Sequence, residues 1–283
     1  MIIGGAENKG EKQEAKRNSD DNHSLEILKE LLPPARAKER PIEILTSASL
    51  IPLELGKDYI RAFKKLGYAN VRHMSIENKE AARDKKMLQR LENAHAVMFT
   101  GGDQFRLSTI LGGTPVIDVV KQRYEHEEMF LLAGTSAGAM AMSRVMLYEG
   151  NNHEALFKDD VRTSSGFGLL NNCIVDTHFV RRGRFPRLTQ AVIMNPGCVG
   201  IGLGEDTALI IRRGNEAICS GTGMVVIIDG KQINHTNIAF IDEGEAICAE
   251  QLIMHILVRG NGYKIHEREF LPSKADLRKE KAG

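Results

Sequence analysis

Met129-Phe130-Leu131-Leu132-Ala133 leads into Gly134-Thr135-Ser136-Ala137-Gly138 and then into Ala139-Met140-Ala141-Met142. An apolar run of strand length, a glycine-flanked serine and a run of small residues read in that order as strand, sharp turn and helix. A G-x-S-x-G turn in this setting lifts the serine hydroxyl out of the sheet edge as a nucleophile, and small neighbours let the helix pack close to the strand. The first backbone N–H groups of the helix then lie near the serine, where an oxyanion would develop. The bland alternative is a small-residue turn of an ordinary α/β protein. The strand before it and the helix after it favour the nucleophile.

Outward from this turn, strand and helix patterns alternate. Met1–Ile3, Ile42–Leu45, Val71–Ile76 and Ala96–Thr100 read as strands. Leu25–Leu32 carries apolar residues at helical spacing and stops at Pro33-Pro34. Leu55, Tyr59, Phe63 and Leu66 share one face of a helix that ends near Gly67, and Ala82, Met87, Leu88 and Leu91 suggest another. This alternation predicts an α/β fold, a mostly parallel sheet with helices on both faces. Beyond Asn172 the chain becomes β-rich, with runs at Val199–Leu203, Ala208–Arg212 and Met224–Asp229. A single domain over 1–283 is expected, with mobile loops at 6–22 and 149–167 and a charged tail at 273–283. In such sheets ligands bind beyond the carboxyl ends of the strands. Gly4-Gly5, Gly101-Gly102 and the serine turn all follow strands at that edge.

The chain has 283 residues, 42% hydrophobic, with 38 Lys+Arg against 37 Asp+Glu. That balance gives no global field arguing for nucleic acid or membrane as partner. No apolar run approaches the ~20 residues of a bilayer span, and Met1-Ile2-Ile3-Gly4-Gly5 does not read as a signal peptide. Cys173, Cys198, Cys219 and Cys248 form no CxxC pair, so neither a metal nor a redox cofactor is expected. The expected compartment is the cytoplasm.

A nucleophilic serine needs a base, usually a histidine held by a carboxylate. Of nine histidines, His178 in Ile174-Val175-Asp176-Thr177-His178-Phe179 stands at the end of a strand-like run. Position alone leaves Glu205, Asp206 and Asp176 open as its carboxylate. Arg181, Arg182, Arg184 and Arg187 make a cationic cluster in a nearly neutral chain. The cluster reads either as a solvated helix start or as a set of forks for an anionic substrate.

Taken together, Ile2-Ile3-Gly4-Gly5-Ala6-Glu7, Phe99-Thr100-Gly101-Gly102-Asp103-Gln104, Gly134-Thr135-Ser136-Ala137-Gly138-Ala139, Asp176-Thr177-His178-Phe179, Arg182-Gly183-Arg184 with Arg187-Leu188, and Gly202-Leu203-Gly204-Glu205-Asp206-Thr207-Ala208 resemble the cyanophycinase family of serine peptidases. These are relatives of the aspartyl dipeptidases called peptidase E. The resemblance covers residues 1 to about 230. It implies a fold like class I glutamine amidotransferases, flavodoxin-like, with a serine where those carry a cysteine. It also implies Ser136, His178 and Glu205 as nucleophile, base and orienting acid, and backbone N–H groups near Gly102 and Ala137 as the oxyanion hole. Gln104, Asp176, Thr177, Arg182, Arg184 and Arg187 would line the substrate cleft. Family members that cut cyanophycin often have glutamine where this chain has Thr177.

Cyanophycin is multi-L-arginyl-poly-L-aspartate, and each unit offers a carboxylate and a guanidinium. The implied reaction is hydrolysis of its backbone to β-Asp-Arg dipeptides through an acyl-enzyme. The arginines would hold carboxylates, Asp176 would hold a guanidinium, and the enzyme would be a homodimer acting on the polymer or on β-aspartyl peptides. Three rivals stand beside this reading. One is a peptidase E-like aspartyl dipeptidase, and another an α/β-hydrolase esterase using His255 or His266. The last is a non-catalytic anion-binding protein.

Overall fold

Five short apolar strands form the parallel half of the main sheet: β1 (Ile2–Ile3), β2 (Ile42–Leu45), β3 (Val71–Met74), β4 (Ala96–Phe99) and β5 (Leu131–Thr135). Their spatial order is β3-β2-β4-β5-β1, every neighbouring pair parallel. A computed structural model of the chain describes residues 1–9, 25–35, 39–150 and 156–280. The loop expected at 6–22 lies outside the described residues from residue 10 onward.

Successive side chains of a strand point to opposite faces, and the packing follows that period. Ile3, Ile42, Ile44, Ala96 and Met98 pack with Tyr59 and Phe63 of α2 (Pro52–Lys65) and with α1 (Glu26–Lys29). On the other face, Ile2, Leu45, Val97 and Phe99 pack with α3 (Lys85–Asn93), α4 (Gln104–Leu111), α5 (Pro115–His126) and α6 (Ala137–Ala141). Fully burying a side chain such as Phe63 or Phe99 stabilises the fold by about 1.5–3 kcal/mol relative to leaving it exposed.

The remaining strands do two different things. A hairpin joins β6 (Val145–Gly150) to β7 (Val161–Ser165). Residues 149–167, expected as a loop, therefore contribute strand at both ends, and 151–155 lie outside the described residues. The helical pattern missed this hairpin because its β7 residues, Val161-Arg162-Thr163-Ser164-Ser165, are mostly polar. The second group starts with β8 (Cys173–Asp176), followed by α7 (Phe185–Met194), β9 (Val199–Leu203), β10 (Thr207–Arg212), β11 (Glu216–Gly221), β12 (Val225–Asp229), β13 (Ile253–Leu257), β14 (Gly262–Lys264), β15 (Glu269–Leu271) and α8 (Lys274–Glu280). Of the charged tail expected at 273–283, Lys274–Glu280 is helical and residues 281–283 lie outside the described residues.

These C-terminal strands divide between two sheets. β10, β11, β14 and β15 extend the main sheet antiparallel from β1, making it nine-stranded, whereas β8, β9, β12 and β13 form a separate four-stranded sheet. The second sheet packs through Ile174, Val226 and Ile228 against Leu188, Ala191 and Val192 of α7. The chain passes from one sheet to the other at Gly204-Glu205-Asp206, between β9 and β10. Asp206 takes a positive φ of 48° at that crossing. Among the described residues, no helix is long and apolar enough to cross a membrane.

Candidate active site

The end of β1 draws three distant segments together. Three successive backbone carbonyls, those of Ile3, Gly4 and Gly5, accept hydrogen bonds from the backbone N–H groups of Ser136, His178 and Asp206, at 3.0, 2.9 and 3.0 Å. Ser136 ends the parallel sheet after β5, His178 follows β8 of the second sheet, and Asp206 adjoins Glu205 at the crossing between sheets. The sequence expectation placed His178 on the edge of the main sheet. It comes instead from the smaller one, and the β1 carbonyls bridge the two.

Ser136 has φ 51° and ψ −118°, a strained conformation for a residue with a side chain. It turns the chain so that the serine stays half-buried while its neighbours Thr135 and Ala137 are buried. The turn needs its second glycine: a Cβ on Gly138 would meet the Phe99 carbonyl oxygen at 2.2 Å. Gly5 is needed for a different reason. With φ at +91°, its would-be Cβ falls 2.5 Å from both Cε1 and Nε2 of His178, so the imidazole lies directly against the glycine backbone.

His178 Nε2 stands 3.0 Å from Ser136 Oγ, and His178 Nδ1 stands 2.7 Å from Glu205 Oε1. An ionised carboxylate only accepts, so it selects the tautomer with the proton on Nδ1 and leaves Nε2 free to accept from the serine. Burial pushes the Glu205 carboxyl up, but hydrogen bonds from His178 and Arg181 outweigh it and hold the group below its ordinary range. Its contribution to stability is therefore present above the ordinary carboxylate pKa and lost as the pH falls through the lowered one. Of the three carboxylates that position left open, Asp206 points elsewhere. It accepts from the Asn8 backbone N–H at 3.0 Å and from Thr222 Oγ1 at 2.8 Å. Burial pushes its carboxyl up, and those two bonds only partly offset this.

Asp176, expected as a reader of guanidinium, is buried, and its carboxylate is engaged within the protein. Its side chain is 0% exposed. It accepts from Arg187 Nε at 2.6 Å, from Arg187 Nη2, from Arg184 Nη1 at 3.0 Å and from the Thr177 backbone N–H at 2.8 Å. Arg187 is buried with it, so this arginine fork grips a carboxylate of the protein rather than one of a substrate. Arg184 is half-buried, and burial lowers its pKa to about 10, with Asp176 partly countering. Thr177, expected in the cleft wall, is buried too, its hydroxyl 3.4 Å from Met140 Sδ. Strand alternation explains none of this from sequence, because β8 ends at Asp176 and the chain then turns.

Gln104 stays half-buried, its amide nitrogen donating to the carbonyls of Leu147 at 3.1 Å and Tyr148 at 3.3 Å. Arg182 is exposed. Gly101 packs on Ser136, its would-be Cβ 3.3 Å from Ser136 Cβ, which brings the Gly101-Gly102 turn beside the serine. Ala137 opens α6, so its N–H has no partner within the helix. The Gly101-Gly102 turn and the start of α6 thus both adjoin Ser136. The histidines of the esterase alternative lie elsewhere: the His255 ring packs between Tyr263 and Phe270, at 5.3 and 6.1 Å, and His266 is exposed.

Two residues with no assigned role in the sequence reading belong to the surroundings of the site. Arg181 Nη1 donates to Glu205 Oε2 at 2.8 Å, occupying the oxygen that His178 does not use. Buried Glu7 accepts from Thr135 Oγ1 at 2.7 Å and from the Tyr59 hydroxyl, under the turn that carries Ser136. A signal existed for each: Arg181 stands in the arginine cluster, and Glu7 is a lone acid directly after the Gly4-Gly5 turn.

Residues 19–218 match Peptidase family S51. A cyanophycinase of Trichormus variabilis is 35% identical over 273 residues, 96% of this chain and 87% of that protein. A cyanophycinase of Geminocystis herdmanii is 32% identical over 269 residues, 94% of each chain. Among solved structures, a peptidase from an acI-B1 actinobacterium superposes with a TM-score of 0.63 at 21% identity, over 93% of this chain and 95% of that one. That likeness speaks for a shared fold.

Proposed function

The chain belongs to peptidase family S51, and from that premise we propose that it is a serine-type exopeptidase that hydrolyses the polyaspartate backbone of cyanophycin to β-Asp-Arg dipeptides. The observation that carries the reading is the line from Ser136 Oγ through the His178 ring to Glu205, with spacings of 3.0 and 2.7 Å. Ser136 Oγ attacks the scissile carbonyl carbon while His178 Nε2 takes its proton. Glu205 holds the ring and stabilises the imidazolium without taking the proton itself. The backbone N–H groups near Gly102 and Ala137 stabilise the oxyanion, each worth ~3 kcal/mol. Collapse breaks the C–N bond, and His178 gives its proton to the leaving amine. Water, deprotonated by the same imidazole, then releases the acyl group from Ser136. No metal or cofactor enters this scheme.

The fold is read as that of the class I glutamine amidotransferases, with Ser136 in the place of their cysteine. Strands β2 to β5 support this, because they stand in the 2-1-3-4 order of a flavodoxin-like sheet. The reading includes a homodimer, which follows the family resemblance, a cytoplasmic location, which follows the cysteine pattern, and Gln104, Arg182 and Arg184 at the rim of the cleft.

The test is incubation with insoluble cyanophycin and mass spectrometry of the soluble fraction. β-Asp-Arg should accumulate. Cleavage of Asp-X dipeptides with the polymer left intact would replace this reading with a peptidase E-like dipeptidase. A second measurement separates the neighbouring acids. Glu205→Gln should lower kcat on the order of 10⁴, less than loss of Ser136, because the imidazolium loses its counter-charge. Asp206→Asn should stay near the parent value. The reverse ranking would show that the wrong carboxylate has been assigned.

A further inference from the structure

The burial of Asp176 leaves the guanidinium of the substrate without the partner expected for it. A cavity of about 460 Å³ opens beside the Gly102 turn, lined by Gly102, Asp103, Gln104, Phe105, Tyr148 and Glu149. It combines two features that suit a flat cation. One is aromatic: the Phe105 and Tyr148 rings lie with centroids 5.1 Å apart, inclined at 37°, and Phe105 keeps 49% of its surface exposed. Exposed phenylalanine is costly in water, and ring faces attract guanidinium through their quadrupole. The other is charge. Asp103 and Glu149 are both exposed. Asp103 Oδ1 accepts from the Arg106 backbone N–H at 2.9 Å, which caps α4. Glu149 faces Arg162 at 3.6 Å, in a pair whose side chains are 63% and 65% exposed. So open a pair is screened by water and yields readily to another cation.

Two hydrogen bonds tie the walls of this cavity together. The Gln104 amide nitrogen bonds to the carbonyls of Leu147 and Tyr148, which ties the start of α4 to β6 and fixes one ring relative to the other. Arg106, the cation next along α4, lines a different cavity together with Ser47, Ser49 and Glu77. Among the described residues, the charged groups identified at the proposed site are Asp103, Glu149 and its partner Arg162.

We propose that this cavity binds the arginine side chain of the cyanophycin unit next to the scissile bond. The guanidinium plane lies over Phe105 and Tyr148, and Glu149 supplies the counter-charge. The proposal rests on the cyanophycin reading and names the residues that would give it side-chain specificity.

The test uses two short polyaspartate peptides substituted through their side-chain carboxyls. One carries arginine on each aspartate and the other carries citrulline, which has nearly the same shape and no charge. The parent protein should prefer the arginine peptide. In Glu149→Gln and Phe105→Leu, KM for the arginine peptide should rise about two- to fivefold, and the preference over citrulline should shrink by a similar factor. Unchanged KM and unchanged preference in both variants would overturn the site. A parent protein that cleaves neither peptide would instead overturn the cyanophycin reading. The cavity would then be judged by calorimetry of β-Asp-Arg binding to the parent protein and to Glu149→Gln. Weaker binding to the variant supports the site, and equal binding, or none to either, overturns it.

Discussion

Ser136→Ala is expected to lower kcat by a factor on the order of 10⁴ or more, and His178→Ala by a comparable factor. The two groups act as one unit: the serine hydroxyl is a poor nucleophile unless the imidazole 3.0 Å away accepts its proton. The double variant should therefore be scarcely worse than either single one. The fold should survive. Alanine suffers about the same backbone strain as serine at the φ of 51° found there, and the Ser136 N–H bond to the Ile3 carbonyl does not involve the side chain. The measurement is product release from cyanophycin beside a thermal melt. An Ser136→Ala protein that melts like its parent and still releases β-Asp-Arg would end the proposed mechanism.

Asp176→Ala should act on stability first. The carboxylate is fully buried and accepts hydrogen bonds from two arginines and a backbone amide. Removing it leaves the guanidinium of Arg187 buried with its charge uncompensated. Breaking one side of a buried ion pair typically costs about 3–5 kcal/mol, which for a chain of this size means a fall in Tm of roughly 10 °C. If Asp176 served instead to bind a substrate guanidinium, the variant would melt normally and show only a raised KM. The melting curve decides between these two roles. The loss would also reach the active site, because Thr177 and His178 follow Asp176 directly in the chain.

The parallel half of the fold was legible because it is local. Apolar runs of strand length at Ile42, Ala96 and Leu131, and the helical spacing of Tyr59 and Phe63, reflect backbone period and burial, which each segment carries by itself. The Gly134-Thr135-Ser136-Ala137-Gly138 turn was legible for the same reason, since its glycines meet a steric demand within a few residues. The sequence therefore determined a strand-turn-helix with a serine at its apex, the alternation of strands and helices before it, and a β-rich region after it.

The tertiary structure decided what meets the serine. Glu205 and Asp206 are neighbours with the same charge, and no local pattern separates them. They part because the chain crosses between two sheets there, so that one carboxylate reaches His178 and the other reaches Asn8 and Thr222. Arginines five residues apart in a charged cluster look alike in sequence, yet Arg187 is folded inward onto Asp176 and Arg182 remains at the surface. The allotment of β9 and β10 to different sheets was equally hidden. Each of these outcomes depends on contacts between segments far apart in the chain, whose geometry is set by how two sheets pack around the end of β1. Local propensity and period specify which surfaces need to be buried, and only the packed chain specifies against what.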